Sequence, residues 1–366
     1  MTKRLLYLNG LAILMIPLQH ACAYGLQAMF IWTNAYLPGV EVPNYSLLGT
    51  LPYHILINLR QITTFAVPCF LFISGFFISF LARGKDAKVS WGQVFPRVKV
   101  LIYPFAIWTI IRFTLLRRPP ESFDEALDPY HFVPLLIQFY LISPFLVSLA
   151  KKNWKALLTV AAILHLGIQL FRYTDSLGIV LPGQQLILTL TPRWFILGQQ
   201  PFWFPLGLVV GLNLKEFQTW LVASRTKLLV TTLFFMALMT VEYYVAFAIS
   251  GDAWLGNTFA GASFSGFARN FYIVSVMFFL LSLDDASLPF PKLFADLGGK
   301  SLGIYMGNIP AIYSAAVLMY RFTPALLGML YLYVPVLFAA GLGLPLLFMW
   351  IIRNTPLRVT YRYFFG

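Results

Sequence analysis

The apolar run from residue 5 to about residue 30, LLYLNGLAILMIPLQHACAYGLQAMF, limits what this chain can fold into more than any other feature. A helix needs about 20 predominantly apolar residues to cross the hydrocarbon core of a bilayer, and this run has enough. Lys3 and Arg4 precede it, which assigns its N-terminal end to the cytoplasm, where basic residues are retained. It has no small-residue cleavage site and is too long for a signal h-region, so it is expected to remain as a span. His20 sits about 22 Å along the axis from Leu5 at the helical rise. An ionisable side chain at that depth faces a polar cavity or a partner. Two readings stand: a functional imidazole, or a neutral histidine hydrogen-bonded to a neighbouring helix.

Similar runs recur to the end of the chain, and 59% of its 366 residues are hydrophobic against 11% charged. No soluble core requires so many long apolar segments. The predicted fold class is therefore all-α, a polytopic membrane protein of about ten transmembrane helices. The spans read as about 5–30, 62–81, 98–116, 131–150, 156–171, 194–214, 228–249, 271–283, 301–320 and 325–352. Pro38, Pro43 and Pro52 are expected to break any long helix in the outer segment 31–61. The apolar stretch around Pro182, Gly183 and Pro192 is expected to be partly re-entrant or interfacial. Basic residues gather in the segments this arrangement turns inward, among them 82–99, 151–155 and the C-terminal tail. The net charge of +13 thus reports topology and not nucleic-acid binding. Both termini are expected in the cytoplasm. No repeat, soluble domain or low-complexity tract interrupts the pattern, so residues 1–366 read as one domain in the plasma or inner membrane.

Generic catalytic motifs are missing: there is no Gly-rich phosphate loop followed by Lys, no HExxH and no Cys/His metal spacing. No metal is expected. Cys22 and Cys69 lie in apolar runs and read as buried thiols. His165 is mid-span and reads as a satisfied core histidine, His54 as a solvated or interfacial one. His20 and His131 both fall toward outer helix ends, where one cavity can serve both. Glu242, beside Tyr243 and Tyr244, lies within a span and reads as a structural, tyrosine-bonded acid.

Val67-Pro-Cys-Phe-Leu-Phe-Ile-Ser-Gly-Phe-Phe77 resembles the P-x-F-x-F-x-S-G-F signature of the acyltransferase family 3 integral membrane proteins. LNGLAILMIPLQHA is similar to that family's opening helix, whose catalytic histidine falls at His20. Arg97-Val-Lys99 running to Pro104 resembles its basic third-helix start. The stretch from His131 to Tyr140 is similar to its fourth-helix pattern, and Ser301-Leu-Gly-Ile-Tyr305 to the start of its late helix. Two positions depart. Asn9 stands where many members carry arginine, and Asn308 where many carry histidine, which implies altered donor contacts or a weakened enzyme.

The resemblance implies a membrane O-acyltransferase that moves an acyl group, foremost acetyl, from cytoplasmic acyl-CoA to an outward-facing glycan hydroxyl. His20 would be the general base, with His131 and Tyr140 orienting the acceptor or stabilising the oxyanion. Arg83, Lys88, Arg97 and Lys99, with Tyr305 and Asn308, would contact the acetyl-CoA donor, since guanidinium suits phosphate. Arg60, Gln61, Gln138, Arg193, Trp194 and Arg269 would line the acceptor cleft. Other readings stand beside these. The basic loop satisfies the inside-positive rule by itself, Trp194 suits an interfacial belt, and the polar pairs suit helix–helix hydrogen bonding. A transporter or flippase for a glycan or lipid-linked substrate, or a non-catalytic partner in an export complex, would use similar residues. The lipid bilayer and a hydroxylated glycan are the expected partners. Nothing specifies an oligomeric state.

Overall fold

The computed structural model describes residues 1–30, 49–82, 88–117, 119–127, 130–198, 200–250, 266–284 and 288–366. Among them there is no strand, and seven helices are long and apolar enough to cross a membrane. The protein is an all-α polytopic membrane protein. The first span is α1 (Thr2–Phe30), and α2 (Leu51–Ile62) runs through a 3-10 turn into α3 (Ala66–Leu81). Then come α4 (Trp91–Leu116), the short α5 (Phe123–Leu127) and α6 (Phe132–Ser176). A short α7 (Gln184–Leu190) leads to α8 (Trp203–Leu212), α9 (Leu214–Ala223), α10 (Arg225–Ser250) and α11 (Ala268–Ser282). The chain closes with α12 (Pro291–Gly299), α13 (Ser301–Phe322), α14 (Leu330–Arg353) and α15 (Tyr361–Phe365).

Large apolar side chains such as Ile110, Val230 and Trp350 point outward from α4, α10 and α14. Hydrocarbon outside the bundle makes that exposure favourable. At one end of the bundle Arg4 donates to the Leu281 carbonyl (3.2 Å), and Arg225 pairs with Asp284 (2.9 Å). The C-terminal tail docks nearby: Trp108 donates to the Phe364 carbonyl (2.8 Å), and Gly366 lies against Leu302 and Val100. Both chain ends therefore share the basic, inner end of the bundle.

Three boundaries differ from expectation. Pro52 does not break a helix; it occupies the first turn of α2, where its missing N–H has no partner to lose. His54, Arg60 and Gln61 consequently ride on a helix. Pro38 and Pro43 lie outside the described residues. The α4 helix starts at Trp91, ahead of the expected 98, behind a capping box in which the Ser90 N–H donates to Gln93 (3.0 Å). Residues 194–198 and 200–202 lie in turns and irregular backbone, not in the start of a span, so among the described residues 194–213 only the ten of α8 are helical. The fourth and fifth expected spans are the two limbs of α6. They meet at Asn153, whose extended backbone (φ −158°, ψ 85°) ends the first limb and whose side chain accepts the Ala156 N–H (3.0 Å).

The signature segment earns its small residues at the α3–α8 contact. A Cβ on Gly75 would stand 2.1 Å from the Phe204 carbonyl oxygen, and one on Gly207 would stand 1.8 Å from that of Phe72. Only glycine lets these two backbones approach so closely. Gly207→Val is expected to lower thermal stability in detergent by about 1–3 kcal/mol, the usual effect of overpacking. Gly167→Ala, where nothing stands within 4 Å of the added carbon, should not. Tryptophan-fluorescence melting of the two variants checks this.

Candidate active site

His20 on α1 faces Asn308 on α13, with Nδ1 2.7 Å from Oδ1. The amide of Asn308 is oriented by its own helix. Its Nδ2 donates to the Tyr305 carbonyl (2.5 Å) and to that of Ile304 (3.2 Å). Turned over, it would set oxygen against two carbonyl oxygens, so Oδ1 is the atom presented to the ring. An acceptor there requires a proton on Nδ1, and the neutral ring then has its lone pair on Nε2. The residue is half-buried, neither sealed in aliphatic packing nor at full exposure. Asn308 itself is buried.

Toward the outer end, a polar cavity of about 90 Å³ lies between α1, the α2–α3 turn, α6, α8 and α11. Gln19, His131, Arg193, Gln200 and Arg269 line it, with the His165–Asn270 pair (2.9 Å) in its wall. Arg60 and Gln61 stand close by: the Arg193 charge acts on Arg60, Arg172 and Arg269. Buried polar atoms here lack protein partners, namely Nε of Arg60 and of Arg269, both amide atoms of Gln61 and Oε1 of Gln200. Such groups are rare in proteins without a ligand or water to meet them.

Toward the inner end, a second cavity of about 190 Å³ is lined by Asn9, Ser74, Phe77, Leu101, Ser301 and Tyr305. Tyr140 hydrogen-bonds Ser74 and feels the Arg97 charge, which places it with this inner cavity and not with His131. Arg97 and Lys99 lie on the regular helix α4, two residues apart, so they diverge. Arg97 is half-buried and donates to the Gln93 carbonyl (2.6 Å), whereas Lys99 and Lys88 are exposed. Arg83 falls outside the described residues. Phe70, Phe132 and Tyr305 also line the inner cavity, with Phe132 5.6 Å from Phe70 and 5.4 Å from Tyr305, centroid to centroid.

The histidine-bearing first helix, the glycine-packed signature helix and the late helix carrying Tyr305 thus converge on one centre. The family described as an acyltransferase domain matches residues 5–353. The chain belongs to acyltransferase family 3. No curated protein and no solved structure matches it.

Seen as a family-3 acyltransferase, the chain explains both departures by geometry. Asn9 donates to the Gly298 carbonyl (2.7 Å) and to the Ser301 hydroxyl (3.0 Å), tying α1 to the start of α13 at the inner cavity. Asn308, which the resemblance put among the donor contacts, hydrogen-bonds His20. Two expected acceptor residues act as scaffolding. Gln138 donates to the Trp194 carbonyl (2.6 Å) and accepts the Ile196 N–H (3.1 Å), while Trp194 donates to Asp124 (2.5 Å). They hold the turn that carries Arg193. Glu242 is structural, accepting the Phe267 and Ala268 N–H groups (2.7 and 2.9 Å) and bonding Tyr173. His54 bonds Tyr244 (2.5 Å), and both cysteines are buried and free. Gln19, Ser74 and Gln200 escaped sequence reading because single small polar residues within apolar runs carry no spacing signal. Gln138→Leu is expected to free the Ile196 N–H, seen as faster hydrogen–deuterium exchange across residues 194–198 with the rest of α6 unchanged.

Proposed function

We propose that the protein transfers an acyl group, acetyl foremost, from cytoplasmic acyl-CoA to a hydroxyl of a glycan or related acceptor presented from the outer side. The observation that carries this reading is the His20–Asn308 pair, because it leaves the basic nitrogen of a neutral imidazole as Nε2. That is the state a general base needs. Family membership supports acyl transfer in general.

In this reading His20 Nε2 takes the proton of the acceptor hydroxyl as its oxygen attacks the thioester carbonyl. The C–O bond forms, the C–S bond breaks, and the imidazolium returns the proton to the departing thiolate. Asn308 does not touch the reacting atoms; it is a positioning residue that fixes the tautomer. The thioester approaches through the inner cavity, with Arg97 at its mouth supplying charge for the donor phosphates. His131 faces the acceptor from the outer cavity, and Tyr140 and Ser74 border the donor path. The donor needs no metal in this scheme.

Thiol release from acetyl-CoA, followed with the purified protein and a glycan acceptor, tests the reading. His20→Ala is expected to lower turnover about 10²–10⁴-fold, the usual contribution of positioned acid–base catalysis. Asn308→Leu is expected to lower kcat with little change in KM for the donor, and Asn308→Gln to restore part of it. Full thiol release by His20→Ala would overturn the assignment. Glycan movement in vesicles without any thiol release would favour transport instead.

A further inference from the structure

Two guanidinium groups, those of Arg193 and Arg269, line the outer cavity. Arg193 repels Arg60, Arg172 and Arg269, so four guanidinium groups share one region. Two carboxylates act on them at a distance, Asp175 on Arg172 and Glu242 on Arg269, and each also accepts hydrogen bonds from other groups. Asp175 accepts from Gln184 (3.0 Å), and Glu242 receives two backbone N–H groups of α11. Among the described residues no carboxylate comes within salt-bridge distance of Arg60, Arg193 or Arg269. Arg269 is only 9% exposed and its Nε has no hydrogen-bond partner, as does the buried Nε of Arg60. Uncompensated buried cations are strongly disfavoured, and within a membrane protein they mark the path of a ligand.

From this we infer that the acceptor is anionic, and that an oxyanion it bears, carboxylate or phosphate, seats between Arg193 and Arg269 in the outer cavity. The inference rests on reading that cavity as the acceptor side. The cavity volume of about 90 Å³ holds about three waters at their liquid volume, which suits a compact charged group and not a whole sugar ring. The remainder of the acceptor stays outside. Planar forked donors match both oxyanions, because each guanidinium presents parallel N–H groups. Gln138 and Trp194 gain a purpose here, since they immobilise the turn that presents Arg193. Seating the anion would fix the acceptor relative to His131 and leave its hydroxyl to approach from the His20 side.

The test is thermal melting of the purified protein in neutral detergent, titrated at constant ionic strength with inorganic phosphate, glucuronate or glucose. Phosphate or glucuronate is expected to raise the melting temperature in a saturable way, whereas glucose and added chloride are not. Response to glucuronate alone points to a sugar-acid acceptor, and response to phosphate alone to a phosphate-bearing one such as a lipid-linked glycan. Arg269→Gln and Arg193→Gln should each weaken the half-maximal response about tenfold or more, as expected for losing a charge-assisted hydrogen bond. Ligand-free Arg193→Gln should melt no lower than the parent protein, because a like-charge repulsion is removed; a purely structural arginine would give the opposite. Arg193 sits on a turn, so this variant serves even if Arg269→Gln fails to fold. No oxyanion-specific stabilisation, or unchanged responses in both variants, overturns the inference. Binding is read without turnover. Anion stabilisation without thiol release would sink acyl transfer and leave the anion seat standing, and thiol release onto a neutral glycan with no anion response would do the reverse.

Discussion

Every polar group placed among the spans must find its partner inside the protein, because hydrocarbon offers none. That constraint organises this molecule. His20 meets Asn308, His165 meets Asn270, Tyr53 meets Tyr243 at 2.9 Å and Thr240 meets Asn58 at 3.0 Å, each joining helices far apart in sequence. Contacts of this kind are modest individually, about 0.6 kcal/mol on average in a membrane. Their larger effect is on register, since helices that slid past one another would strand several polar atoms together. Close packing at Gly75 and Gly207 acts in the same direction by allowing one depth of contact between α3 and α8. The outer cavity is one place where this internal satisfaction stops, at Nε of Arg269 and Oε1 of Gln200.

The inner and outer cavities differ in what lines them. The inner one is walled by Phe77, Leu101 and Leu302 with a few hydroxyls and an amide. The outer one is walled by amides, imidazoles and guanidinium groups. Phe70, Phe132 and Tyr305 form an aromatic wall of the inner one, and Tyr305 is one turn before Asn308 on α13.

Much of this was legible in the residues. Hydropathy alone located the spans, because a lipid-exposed helix must be apolar throughout its crossing, and the KKNWK break in α6 was visible as charge. The buried cysteines and the burial of His165 also followed from composition of their surroundings. The failures have physical causes. Pro52 looked like a breaker because sequence does not say whether a proline falls within a helix or at its first turn. The stretch 194–198 opens an apolar segment yet is held in turns by Gln138, a long-range contact that no local pattern announces. Tyr140 and His131 share a helix nine residues apart and were grouped by resemblance, but the twist of α6 sends them to different cavities.

Asn308 is the most instructive position. A histidine there would also offer hydrogen bonds to His20, but two imidazoles in contact exchange roles, each donating or accepting as protons move between them. An amide does not titrate. With Nδ2 held by the Tyr305 and Ile304 carbonyls, Asn308 presents an acceptor to Nδ1 and nothing else. The tautomer of His20 is then set by backbone geometry on a neighbouring helix, independent of pH. The departure from the family pattern keeps a hydrogen-bond partner for His20 while removing a second proton carrier from beside it, so it reads as a different solution to the same orientation problem and not as the loss of one.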